Sequence, residues 1–138
     1  MRPGCGGSTR VENKRYIIIL SNTPQPMPTL TQALESGCQC RLEVCRSISL
    51  ALERLSGTTP DLVVVDETVD GQAGLAAARQ LVMANPMANL AVVSDLAAEA
   101  FHEAGEGLGI MAQLSPQGSA EDADRLLGLL ANMPTANL

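Results

Sequence analysis

Five short apolar runs recur along the chain, and each has the length of a β-strand. They are YIIIL (16–20), RLEVC (41–45), DLVVVD (61–66), NLAVVS (89–94) and GIMAQL (109–114). The first, third and fourth are nearly continuous and rich in β-branched residues, as in strands that helices cover on both faces. RLEVC alternates polar and apolar positions, which is typical of an edge strand. The pattern therefore predicts a mostly buried sheet with residues 41–45 at one edge.

The segments between these runs have helical spacing. The predicted core positions are Ile48, Ala51, Leu52 and Leu55 in the second helix, Leu75, Ala78, Leu81 and Val82 in the third, Ala97, Phe101, Ala104 and Leu108 in the fourth, and Ala123, Leu127 and Leu130 in the fifth. Gly57 ends the second helix, and Ser119 and Asp122 have capping-box spacing at the start of the fifth. These features predict four amphipathic helices.

Three prolines precede the first helix, at positions 24, 26 and 28. Because proline lacks an N–H and restricts the residue before it, we expect this helix to start near Thr29 and to be short. Strand and helix then alternate five times, and connections of this length imply a parallel sheet. The sequence predicts one doubly wound α/β domain over residues 14–133, a flexible Gly-, Pro- and Ser-rich arm (1–13) and a short tail (134–138).

Composition excludes several function classes. The net charge is −6 with scattered basic residues, and the 138-residue chain has one Tyr, one Phe and no Trp. Neither a phosphate-binding stripe nor a set of base-stacking aromatics can be assembled, so nucleic acid is not the expected partner. The apolar runs are too short to span a membrane, and no apolar signal-peptide segment follows Arg2. The prediction is a cytoplasmic protein that binds neither nucleic acid nor a membrane.

Candidate chemistry gathers where the predicted strands end, because ligands of parallel α/β sheets bind at the carboxyl ends of the strands. The segment PDLVVVDETVDGQAG (60–74) places Asp66 at such an end, followed by Gly71 and Gly74. These residues resemble the motif of bacterial response-regulator receiver domains, in which a phospho-accepting Asp ends the third strand. Asp70 stands where the family usually has Pro, and Gly71 and Gly74 are expected to serve a turn with positive φ and a close helix approach. The resemblance covers Lys14 to about Met133.

The remaining family positions are mostly altered. Ser21 and Asn22 occupy the positions of the two acids that join the acceptor in holding Mg²⁺, and Ser94 matches the phosphoryl-binding Thr or Ser. Ser115 or Pro116 falls where the family has its Lys, while Gln113 replaces the switch aromatic. The only lysine in the chain is Lys14, ahead of the first strand. The metal and the ammonium that support phosphoryl transfer are therefore both expected to be lost.

The resemblance implies a CheY-like, flavodoxin-like (βα)5 fold with strand order 2-1-3-4-5. It implies a stand-alone, degenerate receiver that is not an enzyme, needs no cofactor, and signals through contacts with a histidine kinase or an output protein. Asp66 is then a strand-end carboxylate bonded to backbone N–H groups. One alternative keeps Asp66 as a slow phosphate acceptor with weak Mg²⁺ binding, and another makes the domain a flavodoxin-like binder of a small anion.

Asp95 adjoins Ser94 and admits two interpretations, a cap of the fourth helix or a substitute metal ligand. Leu126, Leu129 and Met133 form a second apolar row on the last helix. That row suggests a partner surface. Receivers often pair through the face of the fourth helix, fifth strand and fifth helix, so the resemblance implies a homodimer or docked protein there. The alternative is that the twist of the sheet buries the row.

The cysteines and the histidine carry weaker signals. Cys38 and Cys40 would share one face of a strand and Cys45 the other, so a tetrahedral metal cage is geometrically poor. Ordinary thiols are expected, with a reactive Cys38/Cys40 pair as the alternative. His102, the only histidine, is expected on the helix surface.

Overall fold

The computed structural model describes residues 15–37, 39–116 and 118–133. The predicted arm and tail lie outside the described residues. In chain order the elements are β1 (Arg15–Leu20), α1 (Pro28–Gly37), β2 (Cys40–Cys45), α2 (Ile48–Gly57), β3 (Leu62–Val65), β4 (Thr68–Val69), β5 (Gln72–Ala73), α3 (Gly74–Ala84), β6 (Leu90–Val93), α4 (Ala98–Ala104), β7 (Ile110–Leu114) and α5 (Ala120–Ala131). The predicted fourth and fifth strands are thus β6 and β7.

The main sheet has the order β2-β1-β3-β6-β7, and every pair in it is parallel. All five predicted strands are confirmed, and β2 lies at an edge as its alternating sequence indicates. The predicted α/β class and the 2-1-3-4-5 order of the five long strands are both confirmed. Strands β1, β3 and β6 are buried over nearly their whole length, which explains their unbroken apolar sequences.

Helices cover both faces of the sheet and enclose two apolar layers. Tyr16, Ile18 and Leu20 of β1 point into the layer under α2 and α3, whereas Ile17 and Ile19 point into the layer under α1 and α5. This alternation follows from the two-residue period of a strand. Apart from Tyr16 and Phe101 in the first layer, both layers consist mainly of aliphatic side chains.

Helix details correct several sequence predictions. Helix α1 starts at Pro28 and runs for ten residues, as long as α2, so the expectation of a short helix was wrong. Helix α4 spans only seven residues. Ala97 therefore precedes it, and both Ala97 and Ala104 are exposed instead of buried. Phe101 and Leu108 are buried as predicted.

A small hairpin between β3 and α3 escaped the sequence analysis. Strands β4 and β5 are antiparallel and joined by Asp70 and Gly71, which have φ of 54° and 76°. A two-residue turn with positive φ at both positions is the preferred way to connect antiparallel strands, and Asp-Gly is a favoured pair for it. The predicted positive φ of Gly71 is confirmed, and Asp70 stands where it does because it belongs to this turn.

The sole tyrosine offers a clean test of burial at the edge of the sheet. Its hydroxyl donates to Glu43, and burial followed by the Glu43 carboxylate raises the pKa of Tyr16 to about 12. Because the folded-state pKa lies above that of the unfolded chain, this contribution to stability is complete below about pH 10 and is lost as pH rises toward 12. We expect ultraviolet titration to give a tyrosinate midpoint near 12.

The matched variant for this titration is Glu43→Gln, which keeps the shape of the side chain and removes its charge. Its midpoint should move partway back toward the ordinary value of about 10, since burial remains. A wild-type midpoint near 10 in the folded protein would contradict the buried hydrogen bond between Tyr16 and Glu43.

Candidate functional site

Asp66 lies directly after β3, at the carboxyl edge of the sheet, and both of its carboxylate oxygens accept hydrogen bonds. The Ser21 hydroxyl donates to Oδ2 at 2.6 Å, and the backbone N–H of Glu67 donates to Oδ1 at 2.7 Å. Ser21 is fully buried, and its Oγ also accepts the N–H of Thr23 at 3.1 Å. The carboxylate is therefore held by the loop after β1 and by its own strand end.

Asn22 links three loops at the same edge. Its side-chain amide donates to the Asp70 carboxylate at 2.9 Å and to the Arg46 carbonyl at 2.7 Å. Its side-chain oxygen in turn accepts the N–H of Asp70 at 2.7 Å. Asn22, which stands where the family has the second of its two acids, thus connects the hairpin turn and the loop before α2 to the end of β1.

Asp70 completes this link from the hairpin side. Its Oδ2 accepts the N–H of Ile48, the first residue of α2, at 2.8 Å. That hydrogen bond, followed by the one from Asn22, holds the pKa of Asp70 below its usual value. The acid that replaces the family's usual Pro therefore supports the start of a helix, a favourable place for a negative charge.

Gly74 brings α3 against the strand end that carries Asp66. A Cβ at this position would lie 2.5 Å from the Asp66 carbonyl oxygen and 3.0 Å from Val92 Cγ1. The N–H of Gly74 also donates to the Glu67 carbonyl at 2.8 Å. The close helix approach predicted for this glycine is present.

Ser94 and Asp95 follow β6, and neither bonds to Asp66. The Ser94 hydroxyl accepts the N–H of Leu96 at 3.1 Å. Helix α4 has Ala97 as its N-cap without a side-chain cap bond, so the prediction that Asp95 caps this helix was wrong. The Ser94 turn already orders the loop, and Asp95 is exposed.

Gln113, at the position of the missing aromatic, fastens the loop after β6. Its side-chain amide donates to the Ser94 carbonyl at 3.2 Å and to the Leu96 carbonyl at 2.7 Å. Arg125 of α5 donates to the Gln113 carbonyl at 2.8 Å. The loop is held by directional hydrogen bonds where the family would place a ring.

Ser115 is committed to the start of α5. Its hydroxyl and its N–H donate to Asp122 at 2.6 and 3.0 Å. Asp122 and Ser119 form the predicted capping box, and Arg125 binds the same carboxylate at 2.8 Å. Although burial acts to raise the pKa of Asp122, these donors together hold it below its usual value. Pro116 is exposed and supplies no side-chain donor or charge.

Two clefts divide the carboxyl edge. One, of about 370 Å³, contains Asp66 and lies beside Thr23 and Thr29, at the start of α1. The other, also about 370 Å³, contains Ser94 and lies beside α3. Glu67 lines both clefts. The two side chains that would share a phosphoryl group therefore line different clefts.

The predicted row on the last helix is mostly inside the protein. Leu126 is fully buried, and Leu129 and Met133 are half-buried against the layer under α1 and α5. The expectation of an exposed row was therefore wrong for Leu126, as the alternative of a buried row foresees, and a partner surface at Leu129 and Met133 stays a prediction. Helix α5 packs against α1 as well as against the sheet, so it needs a wider apolar face than a helix with one neighbour.

The cysteines differ partly from expectation. Cys45 is buried and free, and burial raises the pKa of its thiol, which makes it unreactive. Cys40 packs against the opposite layer, as predicted. It is half-buried at the start of an edge strand and disulfide-bonded, so the expectation of an ordinary thiol was wrong for this residue. Cys38 lies outside the described residues, and His102 is exposed as predicted.

Solved structures identify the fold. The chain is similar to a CheY-like receiver domain protein from Methanospirillum hungatei (14% identity, TM-score 0.70, covering 86% of this chain and 95% of that one). It is also similar to the chemotaxis response regulator CheY4 of Vibrio cholerae, at 11% identity and a TM-score of 0.70, covering 86% of this chain and 99% of that one. A two-component response regulator from Legionella pneumophila is similar at 18% identity and a TM-score of 0.70, covering 86% of this chain and 99% of that one. No family model and no curated protein matches the sequence.

These structures establish that the chain has the CheY-like receiver fold. In the part of the chain that the structure describes, no helix is long and apolar enough to cross a membrane.

Proposed function

We propose that the chain is a degenerate receiver domain that signals through protein contacts, with little or no Mg²⁺-dependent phosphorylation of Asp66. The observation that carries the proposal is the 2.6 Å hydrogen bond from Ser21 to Asp66 Oδ2. A carboxylate that accepts bonds on both oxygens from a buried hydroxyl and a backbone N–H has a structural role within the loop. It is also a weaker nucleophile, because hydrogen bonds to a carboxylate stabilise its negative charge.

The side chains at the metal positions do not suit Mg²⁺. This ion requires near-octahedral oxygen ligands and favours carboxylates. Asn22 is engaged with Asp70 and Arg46, while Ser21 is engaged with Asp66. Among the described residues, no three His, Cys, Asp or Glu side chains could together hold a metal ion. The acids nearest the site serve the strand end and the start of α2 instead.

The phosphoryl group would also lack a cation. Ser115 is bonded to Asp122, and Pro116 carries no charge. Removing a single electrostatic stabiliser from a transition state typically costs about 3–4 kcal/mol. Losing both a metal and an ammonium would therefore remove most of the rate of transfer.

Partner binding belongs on the face of α4, β7 and α5, but a homodimer there is disfavoured. The exposed charged side chains of α4, of the turn after it and of α5 are acidic except for Arg125: Glu99, Glu103, Glu106, Glu121 and Asp124. Two copies meeting through this face would oppose like charges. We assign it to a signalling partner with a basic surface, which could anchor an apolar side chain in the cleft of about 420 Å³ beside Phe101 and Ile110.

The anion-binding alternative receives little support from the site. The cleft beside Thr23 and Thr29 also contains Asp66 and Glu67. Two carboxylates at one cleft repel an anionic ligand unless a cation compensates them.

A Mg²⁺ titration followed by amide NMR tests the proposal. We expect no saturable shift at Asp66 or Glu67 in the wild-type protein at millimolar Mg²⁺. The double variant Ser21→Asp/Asn22→Asp should gain a saturable response, because it supplies two carboxylates and releases Asp66 from Ser21. Saturable wild-type binding that Asp66→Asn abolishes would overturn the proposal.

A further inference from the structure

Strand β2 lies at an edge of the sheet and directs backbone N–H and C=O groups outward, where another strand could pair with them. Among the described residues it pairs with β1 on one side only. The carbonyls of Gln39 and Cys45 accept the N–H groups of Arg15 and Ser21, so these odd-numbered residues direct their backbone toward β1. Because successive residues of a strand direct these groups in opposite directions, Leu42 and Val44 direct their N–H and C=O outward.

The side chains of β2 divide between the two faces in an ordered way. Arg41 and Glu43 lie on the α2 face, where Arg41 stacks over the Tyr16 ring at 4.0 Å and Glu43 binds Arg54 at 2.6 Å. Leu42 and Val44 lie on the α1 face, and Val44 is 36% exposed. They line a cleft of about 360 Å³ whose other walls include Ile19 and three prolines, Pro24, Pro26 and Pro28.

We propose that β2 pairs with β2 of a second copy, antiparallel, about a two-fold axis at Leu42. In this register Leu42 faces Leu42 of the other copy through two main-chain hydrogen bonds. Arg41 then lies opposite Glu43 of the other copy, and Glu43 opposite Arg41, on the same face of the joined sheet. Val44 extends the apolar contact on the α1 face, and the two five-stranded sheets become one.

The charge pattern selects this register over its neighbours. An axis at Arg41 would place the two Arg41 side chains opposite each other, and an axis at Glu43 would do the same for the two Glu43 side chains. Like charges directly opposite in an antiparallel pair are destabilising, whereas opposite charges stabilise it. A shift by one residue would also move the apolar side chains to the wrong face. The sequence RLE is therefore self-complementary about its central residue.

The other edge of the sheet does not offer the same contact. The Leu114 carbonyl accepts the N–H of Ser94, the residue after β6, so Gln113 directs its carbonyl outward, where Arg125 binds it at 2.8 Å. That edge also lies between the acidic α4 and α5. Natural proteins protect sheet edges in this way, and an edge without such a cover is a template for strand addition. A second copy on β2 forms a closed, symmetric dimer.

Sedimentation equilibrium of the full chain tests the pairing. The wild type should be a monomer–dimer system. Val44→Lys places a charge in the apolar contact, and Arg41→Glu opposes two like charges. Each change occurs twice per dimer, so each should weaken the dimer roughly tenfold to thirtyfold. Arg79→Glu, an equal charge reversal at an exposed position of α3, should leave the dimer constant unchanged.

Hydrogen exchange of the wild type tests the pairing without relying on a variant, which could lose the dimer by misfolding. In the wild type, the amides of Leu42 and Val44 should become protected as concentration rises, while those of Arg41 and Glu43 stay protected throughout. A protein that is monomeric at every concentration, with fast exchange at Leu42 and Val44, would overturn the proposal. So would concentration-independent protection that disappears on removal of residues 1–13, because that segment would then cover β2. Neither result depends on Asp66, so a failure of the dimer proposal would leave the proposed function unaffected.

Discussion

Replacing Arg15 by Met is expected to lower the free energy of unfolding by about 3–5 kcal/mol, because it removes the guanidinium that compensates the charge of a buried carboxylate. Arg15 binds the Asp61 carboxylate at 3.2 Å, and Asp61 is fully buried at the start of β3. Arg15 also donates to the carbonyls of Leu130 and Met133, at 2.6 and 2.7 Å, at the end of α5. One guanidinium thus joins two strands to the last helix.

Urea denaturation of Arg15→Met beside Arg79→Met measures this effect. Arg79 is exposed on α3, so its loss should change stability by no more than about 0.5 kcal/mol. Equal and small effects of the two substitutions would show that the remaining partners of Asp61 satisfy its carboxylate; they include the Tyr16 N–H, which donates to it at 2.8 Å.

The substitution Gly74→Ala should cost about 1–3 kcal/mol, because the added methyl group would overlap the main chain at Asp66. The Asp66 carbonyl oxygen, 2.5 Å from the new Cβ, belongs to the backbone and cannot turn aside as a flexible side chain could. Either α3 or the end of β3 must move. The amide resonance of Glu67 should therefore shift together with the loss of stability.

Gly128→Ala is the matched control for Gly74→Ala. Gly128 lies inside α5, and a Cβ there would meet nothing within 4 Å. Alanine is a better helix former than glycine by about 0.8–1 kcal/mol, so this variant should be more stable than the wild type. If Gly74→Ala were equally stabilising, the close approach of α3 to Asp66 would be refuted.

The strands could be predicted from the sequence because burial on both faces leaves long apolar runs. The same approach missed the β4–β5 hairpin, since two-residue strands are too short to show any periodicity. The dipeptide Asp70-Gly71 was the available signal, because this pair favours a turn with positive φ. It predicted a turn with positive φ at Gly71, but not the two short strands that the turn joins.

The last helix shows how packing overrides a one-faced pattern. The sequence prediction placed Leu127 in the core and Leu126 on the surface, which holds only if α5 contacts the sheet and no other helix. Leu126 is buried against the sheet layer, while Leu127 lies beside Gly37 of α1. A helix between two neighbours buries both, and no local spacing reveals the second neighbour.

The candidate site was predictable in its residues but not in their bonds. Motif positions in the sequence identify Asp66, Ser21, Asn22 and Ser94 as the candidate site. The bonds of Asn22 to Asp70 and of Gln113 to the Ser94 loop depend on how separate loops meet in space. Sequence spacing carries no signal for contacts between loops that are distant along the chain, so these hydrogen bonds could not be predicted from the sequence.

Intact-mass spectrometry after incubation with a small-molecule phosphodonor and Mg²⁺ tests the central claim most directly. Wild type and Asp66→Ala should be compared side by side, with a phosphorylatable receiver as positive control. The bonds to Ser21 and Glu67 predict that neither the wild type nor the variant gains the mass of a phosphoryl group. A stoichiometric adduct on the wild type that is absent from Asp66→Ala would contradict the account and make Asp66 a working phosphate acceptor.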